Sequence, residues 1–486
     1  MLPANKTKIV CTMGPACSAP AVMEKMLLAG MNVARLNFSH GTFDEHAKVI
    51  ADLRGAAERT GRRLAIMADL SGPKIRIGKL ATEPVQLAVG ASFELTSEDI
   101  VGDATRATVT FEALPRSVRA GQQLYLNDGT IQLEVVRAEP PRIFCRVVVG
   151  GELRSRKGLN LPGIDLGVSA FTPRDLRCLE FALEHGVDAV SQSFVQTSAD
   201  VQAVRDAARA LGREPFIIAK IERAGALEHI PAILRAADGV MIARGDLGVE
   251  LPIERIPAVQ KQLMREANLA GKPVITATQM LESMTDNTRP TRAEATDVAN
   301  AILDGTDCVM LSGESAAGKY PVEATAMLAK LAAAIEPSLV ARASSQAESA
   351  VGTSVDDVTE LMASSVAGAV RRLAVAAVMV PTQTGHGARS IARFRLPVWV
   401  AAFSPRHASC QELQFSYGVC ATHVPEPVED LRSLSRDWVR REGLSGDRVV
   451  FVGGPSRRHP DANHRMEIVD LRATAARQSE GAGRPS

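Results

Sequence analysis

Two short segments, Lys220-Ile221-Glu222 and Arg244-Gly245-Asp246, carry the charges from which chemistry can be argued. Residues two apart on a strand project from one face, so Lys220 and Glu222 point the same way. A buried charge without a partner is costly, and a structural salt bridge would by itself answer that cost. The second segment tips the balance by adding the carboxylate of Asp246. Two carboxylates with open coordination positions suit magnesium, which keeps several waters and takes substrate oxygens as further ligands. A lysine beside them can neutralise a transferring phosphoryl group or a developing enolate. Gly245 lets a substrate come close to the backbone.

Further polar residues sit in runs that end other apolar segments. Arg35, Asn37, Ser39 and His40 fall within 32–41, with Arg35 and Asn37 again two apart. Arginine is well shaped to hold phosphate. His40 alone reads as a loop histidine of no special role. Asp69 and Leu70 end a third run, and Gly72-Pro73-Lys74-Ile75-Arg76 follows. Lys157 lies in Arg156-Lys157-Gly158; by charge alone, Lys79 and Arg154 are its equals as phosphate contacts. The run 313–319 matches G-x-x-x-x-G-K, but Tyr320 stands where a P-loop needs Ser or Thr to reach magnesium. It reads as a strand-to-helix junction.

These residues need a scaffold that brings strand ends together. Continuous apolar runs, the pattern of parallel strands covered by helices, occur at 8–14, 32–38, 65–70, 188–194, 216–222, 239–245, 273–279 and 308–314. Helical stretches lie between most of them, for example 201–211 and 256–270. Eight such units predict an α/β fold, a (β/α)8 TIM barrel, whose chemistry sits at the C-terminal rim of the strands. Arg35, Asn37, Asp69, Ser193, Lys220, Glu222, Arg244, Asp246, Thr278 and Glu314 all fall on that rim.

Between the third and fourth runs, alternating segments at 86–89, 107–111, 123–126, 131–136 and 143–149 predict a small inserted β-barrel domain. Such an insert can close as a lid. Beyond a helix expected at 322–335, composition shifts to Ser, Ala and Glu around 343–353. An open α/β domain is then expected, with helices at 356–373, 388–394, 407–415 and 428–441, and strands at 377–382, 398–403, 418–423 and 448–453. The division is 1–72 with 169–342 for the barrel, 73–168 for the lid, 343–473 for the C-terminal regulatory or oligomerisation domain, and 474–486 for a disordered tail.

Composition is that of an ordinary soluble protein, with 46% hydrophobic and 23% charged residues and a formal net charge of +1. Overall charge therefore argues for neither nucleic acid nor an acidic membrane as a partner. The seven cysteines form no C-x-x-C pair and no zinc spacing, which fits a reduced, cytoplasmic setting. No signal-peptide core and no run of about 18 apolar residues is present.

Taken in order, the runs at 8–16, 32–41, 72–76, 157–163, 219–222, 241–250, 271–284, 289–294 and 310–314 resemble pyruvate kinase. The resemblance covers nearly all of the first 340 residues. It implies magnesium-dependent phosphoryl transfer from phosphoenolpyruvate to ADP, giving pyruvate and ATP, the last step of glycolysis. Glu222 and Asp246 would hold Mg2+, with Mn2+ as a substitute. Arg35 and Lys220 would contact the phosphoryl group. Gly245, Asp246 and Thr278 would hold the substrate carboxylate, and the enolate would be protonated near Thr278 by a group the sequence leaves open. Asn37, His40, Arg76 and Lys157 would serve the nucleotide.

Three departures stand out. Lys74 occupies a position that is acidic in potassium-dependent members, and a lysine ammonium there can make K+ dispensable. The potassium ligands Asn37, Ser39, Asp69 and Leu70 are nevertheless retained. The lead 286–288 into Arg289 is longer than the family's. The loop at Thr382, Thr384 and Gly385, with Arg389, resembles an allosteric site for a sugar-phosphate or nucleotide effector. The later loop, 454–460, has fewer glycines and more charge, and a scaffold role for this domain carries equal weight. A homotetramer is implied. A lyase or aldolase acting on the same substrate, and a non-catalytic regulatory paralogue, are the competing readings; ADP-dependent pyruvate formation separates them.

Overall fold

The computed structural model describes residues 2–127, 129–164, 167–346, 358–424, 430–454 and 463–472. The expected boundary at 343–353 lies partly outside these residues. Most of the loop 454–460 and the whole tail 474–486 lie outside them.

The eight apolar runs form β1 (Lys8–Thr12), β2 (Met31–Asn37), β3 (Ala65–Leu70), β4 (Ala189–Gln192), β5 (Phe216–Ile221), β6 (Gly239–Ala243), β7 (Val274–Ala277) and β8 (Cys308–Leu311). They close into one parallel barrel in the order β1-β8-β7-β6-β5-β4-β3-β2. Strands such as β3 and β5 are buried at every residue, as the absence of alternation predicts. Most expected strands reach one to three residues too far at the C-terminal end. There the backbone leaves the ladder: Phe194, Thr278 and Gln279 take positive φ values of 59°, 71° and 54°, and a helix (Arg244–Glu250) starts directly after β6. Ser193, Glu222, Arg244, Asp246, Thr278 and Glu314 therefore sit on turns and helix starts just beyond the strands, while Arg35, Asn37, Asp69 and Lys220 lie within them. Capping boxes at Thr42/Glu45, Thr172/Asp175, Thr197/Asp200 and Thr291/Glu294 fix the helices that leave this rim.

The insert between β3 and β4 is a six-stranded sheet with an added two-stranded ribbon around its own apolar core. Sequence alternation missed Ser92–Thr96, Gly151–Leu153 and Leu159–Asn160. The insert also contains one helical turn, Leu114–Ser117.

The C-terminal part has β9 (Ala377–Pro381), β10 (Trp399–Ser404), β11 (Val419–His423), β12 (Arg448–Gly453) and β13 (Arg465–Asp470), ordered β11-β10-β9-β12-β13. Four are parallel; β13 was not expected and runs antiparallel to β12. None of its residues is fully buried, which leaves no continuous apolar run to read. The helix expected at 322–335 runs on to Gln346, through Pro337. The Glu336 carboxylate is held by the amides of Lys6 and Thr7, and Leu339 is buried, so tertiary contacts outweigh the donor that proline lacks.

This C-terminal part closes the bottom of the barrel. Phe415 joins the cluster of side chains inside the barrel and stacks on Phe216 at a centroid distance of 5.4 Å. Arg395 forms a buried pair with Asp307 at 2.7 Å, and Lys8 Nζ donates to the Val419 carbonyl at 2.7 Å. All these barrel residues begin strands or directly precede them, so the site end of the barrel stays free. Phe415→Ala should lower stability by about 3–5 kcal/mol through the cavity it leaves. Thermal unfolding followed by circular dichroism measures the shift.

Candidate active site

At the barrel mouth the ammonium of Lys220 is buried among acceptors. It lies 2.9 Å from Glu222 Oε1, 3.2 Å from Asp69 Oδ1 and 2.7 Å from Ser193 Oγ. Asp69 is shared: its Oδ2 accepts from Arg35 Nε at 3.0 Å, and its Oδ1 accepts from Ser191 Oγ at 2.6 Å. Arg35 is fixed from its other side by Thr12 Oγ1 at 2.9 Å. Glu222 Oε2 accepts from the amide of Phe194 at 2.8 Å. Four charged groups from β2, β3 and β5 thus form one network.

Burial alone would push the Asp69 carboxyl upward, but Arg35, Lys220 and Ser191 outweigh it and hold the value at about 2. Burial works against the Lys220 ammonium, yet Asp69 and Glu222 raise its pKa above the ordinary lysine value, so it stays charged. Glu222 moves upward instead. Burial and the nearby Asp246 carboxylate outweigh the help from Lys220.

Asp246 stands in the first turn of the helix Arg244–Glu250, half-buried, with its charge felt by both Lys220 and Glu222. Among the described residues no group of three or more His, Cys, Asp or Glu is arranged to hold a metal ion. A cation at Glu222 and Asp246 would take its other ligands from water and substrate, and two crowded carboxylates suit a hard divalent ion of that kind. Thr278 Oγ1 accepts from the Gly245 amide at 2.8 Å and contacts the Ala277 carbonyl at 2.5 Å. Gly245 has an ordinary φ, and a Cβ there would meet Thr278 only at normal contact distance, 3.5 Å.

Two rim residues do not face the mouth. Arg244 turns to the end of β7 and pairs with Asp297 at 2.7 Å. Glu314 is buried and accepts from the amides of Leu281 and Ser312. Their charge is spent on backbone and ion-pair contacts.

On the other side of the mouth Asn37 Oδ1 accepts from the Ser39 amide at 3.1 Å, and Ser39 Oγ donates to Ser71 Oγ at 2.9 Å. Leu70 is fully buried. His40 is exposed at the edge. Partial burial, then the charges of Arg76, Lys74, Arg35 and Arg174, lower its pKa and keep it neutral at pH 7. Arg76 bridges to the lid's far edge, with Nη1 on the Arg156 carbonyl at 3.0 Å. Lys74 runs beside Gly158, next to Lys157. Arg154, equal to Lys157 by charge alone, is tied to Glu152 at 2.6 Å. Sequence reasoning missed Arg174, whose guanidinium approaches the Phe38 carbonyl at 3.4 Å. It also missed Ser191 and Thr12, detectable only as small polar residues in otherwise apolar strands.

The distant loop closes on itself: the Gly385 amide donates to Thr382 Oγ1 at 2.9 Å, and Gly385 has φ 77°. The Arg389 guanidinium donates to the Thr384 carbonyl at 2.7 Å and lies over the ring of Phe216 at 5.6 Å. It is turned toward the barrel.

Comparison with known proteins agrees with this architecture. Residues 4–325 match the family described as pyruvate kinase, barrel domain, and residues 360–469 match pyruvate kinase, alpha/beta domain. A pyruvate kinase of Thermococcus litoralis is 48% identical over 420 residues, covering 86% of this chain and 88% of that protein. A pyruvate kinase of Geobacillus stearothermophilus is 40% identical, covering 99% and 83%. The crystal structure of a pyruvate kinase from Cryptosporidium parvum superposes with a TM-score of 0.89 at 34% identity, over 96% of each chain. The chain belongs to the pyruvate kinase family.

Because the folded pKa of Asp69 lies below its ordinary value, its network stabilises the fold fully above pH about 4 and loses that effect as pH falls toward 2. A drop from an ordinary carboxylate pKa to about 2 corresponds to about 2 kcal/mol. Asp69→Asn should flatten this part of the stability-versus-pH curve, measured by denaturant unfolding between pH 2 and 5.

Proposed function

Within that family, we propose that phosphoryl transfer between phosphoenolpyruvate and ADP runs across the Lys220 network. The observation that carries this reading is the buried Lys220 ammonium, 2.9 Å from Glu222 and 3.2 Å from Asp69, with Arg35 on the same aspartate. Arg35 and Lys220 receive the transferring phosphoryl group. Lys220 also faces the negative charge that develops on the enolate oxygen. Its hydrogen bonds are already made, so little reorganisation is needed as charge moves.

Members of this family use a divalent metal. We take it as Mg2+, with Mn2+ able to substitute, held by Glu222 and Asp246. It would supply neutralisation and polarisation of the phosphoryl and carboxylate oxygens. The upward push on the Glu222 carboxyl from burial and Asp246 supports this, because a cation relieves that crowding. Thr278 and the amides of Gly245 and Asp246 meet the substrate carboxylate. The bond between the Gly245 amide and Thr278 Oγ1 is the one such a carboxylate must share or displace.

Asn37, His40, Arg76 and Lys157 serve the nucleotide phosphates. Support comes from a mouth edge where Lys74, Arg76, Lys157 and Arg174 have no ion-pair partner among the described residues, leaving their charge for an anion. Thr382, Thr384 and Gly385 form a candidate effector loop for a sugar phosphate or nucleotide, with Arg389 bracing it from beneath. We further propose a cytoplasmic homotetramer; no helix among the described residues is long and apolar enough to cross a membrane. A lyase or aldolase reading would leave the nucleotide-side cations without a task.

Lys220→Met should keep the fold and lower turnover by about 10²-fold, the scale of one preorganised charge contact. The assay is ADP-dependent pyruvate formation, and near-normal turnover in this variant would sink the assignment.

Both oxygens of Asp69 are engaged by Arg35, Lys220 and Ser191, so little is left for a monovalent cation, while Lys74 brings a charge of its own to this edge. Activity should therefore be similar in potassium-free buffer, and Lys74→Glu should make it potassium-dependent. A large loss for the unmodified enzyme without potassium refutes the substitution of K+ by Lys74.

A further inference from the structure

Arg244 directly follows β6, yet its guanidinium is built into the end of β7. Nη2 donates to the Thr278 carbonyl at 2.7 Å and meets the Met280 sulfur at 2.9 Å; Nε reaches the Ala277 carbonyl at 3.3 Å. Nη1 pairs with Asp297 at 2.7 Å and approaches Gln260 at 3.4 Å. Asp297 lies on the helix Arg292–Asp304, and Gln260 on the helix Ile256–Leu269. One side chain thus ties two outer helices to the turn that carries Thr278. In that turn Thr278 and Gln279 have φ values of 71° and 54°. Two successive non-glycine residues in the left-handed region do not persist unless their surroundings over-determine them.

We propose that Arg244, anchored by Asp297, is a positioning residue that holds Thr278 in its left-handed conformation and so aims the Thr278 hydroxyl at the substrate. A plain salt bridge between Arg244 and Asp297 would need no carbonyl contacts. Here the donors are divided between a carboxylate and two successive carbonyls, a task for a planar fork with fixed directions that the point charge of lysine cannot match. The Gly245 amide, next in sequence to Arg244, holds the Thr278 hydroxyl itself. Both ends of the threonine are therefore governed from the end of β6. This inference rests on the reading of Thr278 as a substrate contact.

The test compares Arg244→Gln, Asp297→Asn, Thr278→Ala and the Arg244→Gln/Thr278→Ala double variant in steady state. Arg244→Gln should lower turnover by about 10²-fold and raise the KM for phosphoenolpyruvate, as displacement of a positioned group by about 1 Å does. The KM for ADP should change by less than about twofold, because independent sites do not couple. Asp297→Asn should give a smaller loss of the same kind, and it remains informative if Arg244→Gln does not fold. In the double variant the Arg244 change should add almost nothing to Thr278→Ala. Multiplying penalties, near-normal turnover in Arg244→Gln, or equal rises in both KM values with lowered thermal stability would each overturn the proposal. A silent Thr278→Ala removes the reading of Thr278 and this inference with it. A damaged Thr278→Ala beside a silent Arg244→Gln removes this inference alone.

Discussion

The site depends on one electrostatic constraint: charges taken into the barrel mouth must neutralise each other there. Two cations, Arg35 and Lys220, share Asp69, and Lys220 also meets Glu222. Removing any one leaves a buried charge without compensation, which is more costly than the pair is stabilising. The serines at 191 and 193, the amide of Phe194 and the hydroxyl of Thr12 fill the remaining lone pairs and donors. Such a network fixes its members in place before substrate arrives, and preorganised charge is the main resource of phosphoryl transfer.

This constraint also explains why the two ends of the barrel differ. The mouth must stay polar and open, so the apolar burial that secures the barrel is placed below. Phe415 enters the floor against Phe216, and the Arg395–Asp307 pair locks the C-terminal part to the residue before β8. Lys8 and the Leu64 carbonyl make further links at the same end. The C-terminal part also reaches the end of the helix Ile256–Leu269, through Arg393 on the Leu269 carbonyl and Arg395 on Asn268. Arg389 touches both the loop at Thr384 and the ring that begins β5.

The sequence was most readable where one physical cause set the pattern. Continuous apolar runs marked all eight barrel strands, since strands buried on both faces have no polar side. Lys220 and Glu222 were readable as a pair because strand geometry alone puts them on one face. Strand ends were less readable, since the backbone there is shaped by tertiary contacts such as those of Arg244 with residues 277 and 278. β13 left no signal, for its pairing with β12 is a backbone matter and none of its side chains is fully buried. The orientation of Arg389 was unreadable too: a helix arginine beside a loop has the same spelling whichever way it turns.

The fate of Arg244 shows what charge counting misses. By spacing it belongs with Asp246 as one of two charges that this segment brings to the rim. By geometry its donors are used on Asp297 and on the carbonyls of 277 and 278. A guanidinium facing the mouth at that point would add positive charge beside the carboxylates of Glu222 and Asp246 and oppose the divalent cation that we propose for them. Turning it outward removes that competition and converts the same side chain into the brace of the neighbouring strand end. The segment thus keeps one charge beside Lys220 and Glu222, that of Asp246, and gives the other to the backbone of the turn that carries Thr278.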